Sequence, residues 1–195
     1  MQLSFPKGSV GETLQKMSGV WLDKCQAYAL AGEPLREDLQ SGTPGPCPFE
    51  NLVYCDFDGE TYRQTNVTIK GRAFHYRSFQ GALFKGVLHF AKLGPEDPDH
   101  IGVSGGPGVL FFAPKMITPA WHRYSEPDCI RLLNEKQRTR TTLLYRNAEA
   151  CRTLTAMGER ISFDPKKRVS LDPRGLHGPV HQERKPTMVF SEEKK

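Results

Sequence analysis

The chain has 195 residues, of which 37% are hydrophobic and 25% charged, enough for one domain with a modest core. Its 27 Lys and Arg against 22 Asp and Glu give +5 and a pI near 9.0, which invites a nucleic-acid reading until that charge is located. No apolar run approaches the ~20 residues of a membrane-spanning helix, residues 1–11 lack a basic-then-apolar secretory layout, and no repeat recurs at a solenoid period.

Ser9-Val10-Gly11-Glu12 reads as a capping box, with Ser9 accepting from the Glu12 amide and Glu12 reaching back to the Ser9 amide. Val10, Leu14 and Met17 follow at helical spacing, so a short helix is expected over 9–18, ended by Gly19-Val20-Trp21. Residues 23–30 alternate and read as a strand. Residues 31–48 hold Gly32, Pro34, Gly42, Pro44, Gly45, Pro46 and Pro48, a density that predicts a long loop. Residues 52–57 form an apolar strand stopped by the Asp58-Gly59 turn, and 61–70 form the next strand. Two further strands are expected at 73–79 and 83–92, separated by Gln80-Gly81. Residues 94–108 read as a second turn-rich loop, 109–112 as a short strand ended by Pro114, and 126–133 as a strand or one helical turn. The clearest pair is a hairpin of 137–145 and 151–161 around residues 147–150. Pro165, Pro173, Pro179 and Pro186 mark a tail over 163–195 that is expected to be disordered. About eight strands at regular spacing after one short helix predict an all-β barrel or sandwich over residues 1–162.

Gly19-Val20-Trp21, placed between a short helix and the first strand, resembles the Gly-x-Trp signature of lipocalin-like (calycin) barrels. That resemblance implies an eight-stranded antiparallel barrel whose Trp closes the floor, with an Arg from the final strands over its ring. Arg138, Arg140 and Arg160 are available for that place, with Arg140 the first choice. Arg63-Gln64-Thr65-Asn66, Arg138-Thr139-Arg140-Thr141 and a closing strand ending Gly158-Glu159-Arg160 are similar to an uncharacterised lipocalin-like family related to the cyanobacterial bilin lyases. The bilin lyases carry a comparable Arg-x-Arg-Thr strand before a final strand ending in Glu-x-Arg or Glu-Arg. The resemblance runs over residues 10–162.

An eight-stranded barrel encloses room for side chains or one small ligand. Phe74, Tyr76, Phe79, Phe84, Leu88, Phe90, Phe111, Phe112, Trp121 and Tyr145 are candidate walls for a hydrophobic or conjugated ligand, although aromatics fill cores in any case. Arg138 and Arg140 lie two apart on a strand and share a face; turned inward, they would clamp a carboxylate or enolate. Asn66 could donate to a ligand carbonyl. His75 and His89 are the candidate acid–base residues. The chain therefore reads as a cytoplasmic small-molecule-binding barrel, and as a cofactor-free cyclase or isomerase of small-molecule biosynthesis if it is an enzyme. The alternatives are a non-catalytic carrier, a bilin-lyase-like chromophore binder, a homodimeric assembly of such barrels, an interaction protein that recognises partners through its tail, and a nucleic-acid-binding barrel.

No metal and no cofactor is expected. The five Cys are widely spaced without a Cys-x-x-Cys and read as reduced thiols. Gly105-Gly106-Pro107-Gly108 lacks the Lys-Ser/Thr of a phosphate loop and reads as a turn. Residues 163–195 hold eight Lys/Arg and five Asp/Glu, so +3 of the +5 sits in the tail and the barrel is nearly neutral, which disfavours nucleic acid.

Overall fold

The computed structural model describes residues 4–38, 45–70, 73–91, 99–115 and 124–169. One helix, α1 (Val10–Met17), precedes β1 (Gly19–Tyr28), β2 (Glu37–Asp38), β3 (Gly45–Pro46), β4 (Phe49–Phe57), β5 (Thr61–Lys70), β6 (Ala73–Phe84), β7 (Val87–Phe90), β8 (His100–Ser104), β9 (Val109–Pro114), β10 (Tyr124–Ser125), β11 (Asp128–Leu132), β12 (Gln137–Arg146) and β13 (Glu149–Ser162).

The sheet closes on itself. Its antiparallel order runs β1-β4-β5-β6-β7-β8-β9-β11-β12-β13, and β13 pairs back onto β1. The barrel has ten strands rather than the eight expected, and β10 adds a short pairing to β12. One added strand, β8, comes from a turn-rich segment, and the other, β11, from residues 126–133, where a strand or one helical turn was expected; β2 and β3 form a separate ladder outside the barrel. Residues 94–108 contain β8, whose His100–Ser104 pairs with β9. Residues 31–48 contain the small β2–β3 ladder where no regular structure was expected; Leu35 and Cys47 from this segment pack, with Phe49, against Cys25, Ala27, Leu154 and Ala156.

Local chemistry explains most boundaries. Ser9 caps α1 by accepting from the Glu12 amide at 3.2 Å. The return bond differs from the expected box: Glu12 accepts from the Gly8 amide, while the Ser9 amide donates to Pro6. Gly19 opens β1 at φ 137°, and a Cβ there would lie 2.4 Å from the Ser162 carbonyl oxygen, so β1 starts four residues earlier than the alternation suggested. β6 runs straight through Gln80-Gly81, and the chain turns instead at Lys85-Gly86, both with positive φ, as a two-residue hairpin demands. The last hairpin turns at Asn147-Ala148, again at positive φ.

Antiparallel register assigns the faces. Trp21, Asp23, Cys25 and Ala27 of β1 point inward, opposite Val53, Asn51 and Phe49 of β4 and Arg160, Gly158, Ala156 and Leu154 of β13. The lower interior is filled. Trp21, Val53, Cys55, Tyr62, Leu88, Leu110, Phe112 and Ile130 form one buried cluster, and α1 lays Val10, Leu14 and Met17 into it, closing that end. On the outer wall, Val20, Leu52, Tyr54 and Val67 are covered in part by Val169, whose amide and carbonyl both bond the Tyr54 hydroxyl. The chain past Ser162 therefore packs on the barrel as far as Val169; residues 170–195 lie outside the described residues. Among the described residues, no helix is long and apolar enough to cross a membrane.

Candidate functional site: the polar upper interior

The floor is built on Trp21. Its indole Nε1 donates to the Met17 carbonyl at 2.8 Å, tying β1 to the end of α1. Two guanidiniums approach the ring: Arg160 at 4.1 Å from its centroid and Arg138 at 4.6 Å. The expected Arg over Trp21 is thus supplied by Arg160 and Arg138, not by Arg140. Arg160 also donates to the backbone carbonyls of Lys16, Ser18 and Glu135, so it clamps the helix end to the last strand.

Arg138 is committed elsewhere as well. Its Nε and Nη2 donate to Asp23 Oδ1 and Oδ2 at 3.0 and 2.8 Å, a bidentate pair with both side chains 1% exposed. Burial disfavours the guanidinium charge, but the Asp23 carboxylate more than restores it, so Arg138 stays a cation. Gly158 makes the pair possible: a Cβ there would sit 2.3 Å from Asp23 Oδ1. Arg138 does point inward, as its shared face with Arg140 implied, but it is locked in the floor and offers no open clamp.

Above this pair the interior turns polar. Arg140 Nε donates to Asp128 Oδ2 at 2.5 Å, and Thr142 donates to Asp128 Oδ1 at 3.2 Å. The Asp128 carboxyl is raised above its ordinary range: burial pushes it up, Arg140 and Thr142 oppose, and Glu126 adds to the rise. Across the barrel, Tyr62 donates to Gln64 Oε1 at 2.7 Å, and Gln64 Nε2 donates to Asn66 Oδ1 at 2.8 Å. Burial, with Cys55 beside it, holds the Tyr62 phenol protonated. The seam continues through Thr68, which donates to Asn51, and Asn51, which donates to the Cys25 thiol. β-strand alternation produces this column: residues 62, 64, 66 and 68 of β5 share the inner face.

Several inward-facing side chains keep some accessible surface. Phe79, paired opposite Gln64, is only half-buried, with the Arg77 guanidinium 5.2 Å from its ring. Phe90 is half-buried beside Phe112, ring to ring at 5.3 Å edge-on, and Arg140 is 15% exposed. Phe79, Phe90, Arg140 and Asn66 thus all face the interior, with Phe90 packed on the floor cluster.

The sequence candidates divide accordingly. Asn66, Phe90 and Arg140 face the interior, and Arg138 is locked in the floor. His89 pairs with Ala82, on the outer face opposite to Leu88, and does not line the interior; Tyr145 is half-buried just past the bulge of the β12–β13 ladder, opposite Ser125 of β10. His75 stands opposite Thr68 and Tyr76 opposite Val67, positions known here by register alone. Trp121 lies outside the described residues. Asp23 and Asp128 were not singled out from the sequence, Gln64 entered only within the Arg63-Gln64-Thr65-Asn66 motif, and Phe79 was among the candidate walls. A lone Asp on a strand carries no local signal; only register across four strands shows that Asp128 meets Arg140. All five Cys are free thiols. Among the described residues, no group of three or more His, Cys, Asp or Glu is placed to hold a metal.

No family model and no curated protein matches the chain. Solved structures do. A protein of unknown function from the DUF3598 family of Nostoc punctiforme PCC 73102 superposes with a TM-score of 0.55 at 13% identity, over 76% of this chain and 49% of that one. The chain therefore spans about half the length of that protein. The S-type phycobiliprotein lyase CPES from Guillardia theta superposes with a TM-score of 0.55 at 11% identity, over 78% of this chain and 92% of that one. At such identities the likeness is one of fold: this chain is a lipocalin-like antiparallel β-barrel, similar in architecture to a phycobiliprotein lyase.

Proposed function

We propose that the barrel binds a hydrophobic, conjugated small molecule in its upper interior, as a carrier or chromophore-binding protein. The observation that carries this reading is the pairing of accessible inward aromatics, Phe79 and Phe90, with buried polar groups at Arg140, Asp128 and Asn66. Ligand sites are built this way, from apolar walls and a few placed polar groups. Asn66 Oδ1 is engaged by Gln64, so its Nδ2 is the end that offers donors to a ligand carbonyl. The architectural likeness to a phycobiliprotein lyase supports a conjugated ligand.

The neutral dye N-phenyl-1-naphthylamine tests this. Saturable fluorescence enhancement at one site per chain is expected, weakened several-fold by Phe79→Ala, a half-buried residue whose truncation spares the packed floor. No saturable enhancement by the wild type would overturn the proposal.

A second reading rests on Asp128. An inward carboxyl paired with Arg140 and raised above its ordinary range by burial is suited to take up and return a proton, which supports a cofactor-free isomerase or cyclase. His75 joins it by register position alone, and His89 has no part in it. Incubation with terpenoid, polyketide and linear tetrapyrrole compounds, followed by chromatography, should yield a product that Asp128→Asn abolishes. No product from any of them would overturn the catalytic reading and leave the binding one standing.

A further inference from the structure

Three charged groups meet over the interior at the end away from α1. Glu126, on the two-residue break between β10 and β11, receives Arg77 Nη1 from β6 at 3.0 Å and Arg152 Nη2 from β13 at 3.4 Å. β6 and β13 are not neighbours: β5, β4 and β1 separate them on one side, and β7, β8, β9, β11 and β12 on the other. One carboxylate is thus held by two guanidiniums that reach it from well-separated walls of the barrel.

This contact differs in kind from the floor pair. Asp23–Arg138 is bidentate, short and sealed from water. Glu126–Arg152 is longer than a good charge-assisted bond although both side chains are largely buried, and Arg77 is 44% exposed. The Arg77 arm is exposed to water and so weakly held, and the Arg152 arm is long for a buried pair. Arg77 also lies over the face of Phe79, so cation and aromatic wall form one surface. Two arginines facing a common point are a bidentate receptor for a carboxylate or sulfonate.

We infer that Glu126 is an internal anion that occupies the place of the ligand's own anionic group, and that the barrel takes an amphipathic organic anion whose acid displaces Glu126 from Arg77 and Arg152 while its conjugated body lies on Phe79. This rests on the proposed binding function and narrows its ligand class. It also makes the contact a latch. With Glu126 seated, β6 and β13 are bridged across the entrance; with a ligand anion seated, Glu126 is released.

The test uses two dyes of the same ring system on the full chain: anionic 1-anilinonaphthalene-8-sulfonate and neutral N-phenyl-1-naphthylamine. The readout is the ratio of their affinities, with the unfolding midpoint and near-UV circular dichroism recorded for each variant. Glu126→Gln removes the competing charge, and the anion-to-neutral ratio should rise about five- to tenfold. Arg77→Gln should lower it by a similar factor, and added salt should lower it in the wild type. A ratio unchanged in both variants, or lowered by Glu126→Gln, would overturn the latch. If Glu126→Gln does not fold, Arg77→Gln decides alone, because its exposed side chain can be replaced without opening the core. Failure of the neutral dye to bind would instead sink the binding function itself, so the two failures are distinguishable.

Discussion

Asp23 and Arg138 show what a buried charge requires. Each is 1% exposed, and each is tolerable only because the other satisfies it. Arg138→Met should therefore destabilise the barrel by about 3–5 kcal/mol in urea unfolding, since Asp23 is left buried without a counterion. Replacing both together, Asp23→Leu with Arg138→Met, should recover most of that loss; a double variant as unstable as the single one would show that the pair acts through packing. Cys25 gives a pH signature. Burial, with Asp23 nearby, pushes its thiol from 9.0 up to about 12. Above pH 9 the unfolded chain releases this proton while the folded barrel keeps it, so the contribution from Cys25 is intact below 9.0 and is lost as pH rises toward 12. The stability advantage of the wild type over Cys25→Ala should shrink by about 1.4 kcal/mol for each pH unit between about 9.5 and 11. A constant advantage across that range would refute the assignment.

At the scale of elements, turn chemistry and close approach set the boundaries. β6 and β7 form a hairpin because Lys85 and Gly86 both take positive φ, and the long β6 then carries Arg77 and Phe79 on one inner face. A Pro- and Gly-rich stretch is no bar to a strand: β8 forms inside one because β7 and β9 offer it ladders on both sides. Gly158 belongs to this scale too, since it lets β13 pass close beneath the Asp23–Arg138 pair. Gly158→Ala should cost about 1–3 kcal/mol, because its Cβ meets the carboxylate and the Arg138 stem, neither of which has room to move. Thermal unfolding of this variant beside Gly86→Ala separates the two causes. The second change strains φ at an open turn, where nothing lies within 4 Å, and leaves the pair untouched.

For the whole molecule, the barrel divides along its axis. One end is a packed floor sealed by α1, Trp21 and Arg160; the other is a polar, partly accessible interior crossed by Arg77, Glu126 and Arg152. The floor supplies the rigidity that holds the upper groups in place, and the upper groups supply the chemistry. The dye experiments belong at this scale, because they ask whether the interior behaves as one site with a preferred sign of charge.

The sequence by itself determined the all-β class, the capped helix, the Asp58-Gly59 turn and the last hairpin, since each of these is written in residues close together or in a spacing of two; the Trp–Arg floor followed from the family resemblance, with Arg160 and Arg138 in the place first given to Arg140. The sequence also placed Asn66, Phe90 and Arg140 among the candidates. Tertiary structure alone decided the rest. Alternation defines two faces of a strand but not which of them is inner, and closure of β13 onto β1 settled that for every strand at once. That closure turned His89 outward. It brought Asp23 to Arg138 across 115 residues, Glu126 to Arg77 across 49 and to Arg152 across 26. Ion pairs of that range leave no local trace in a sequence, because each partner is an ordinary strand residue until the barrel closes around it.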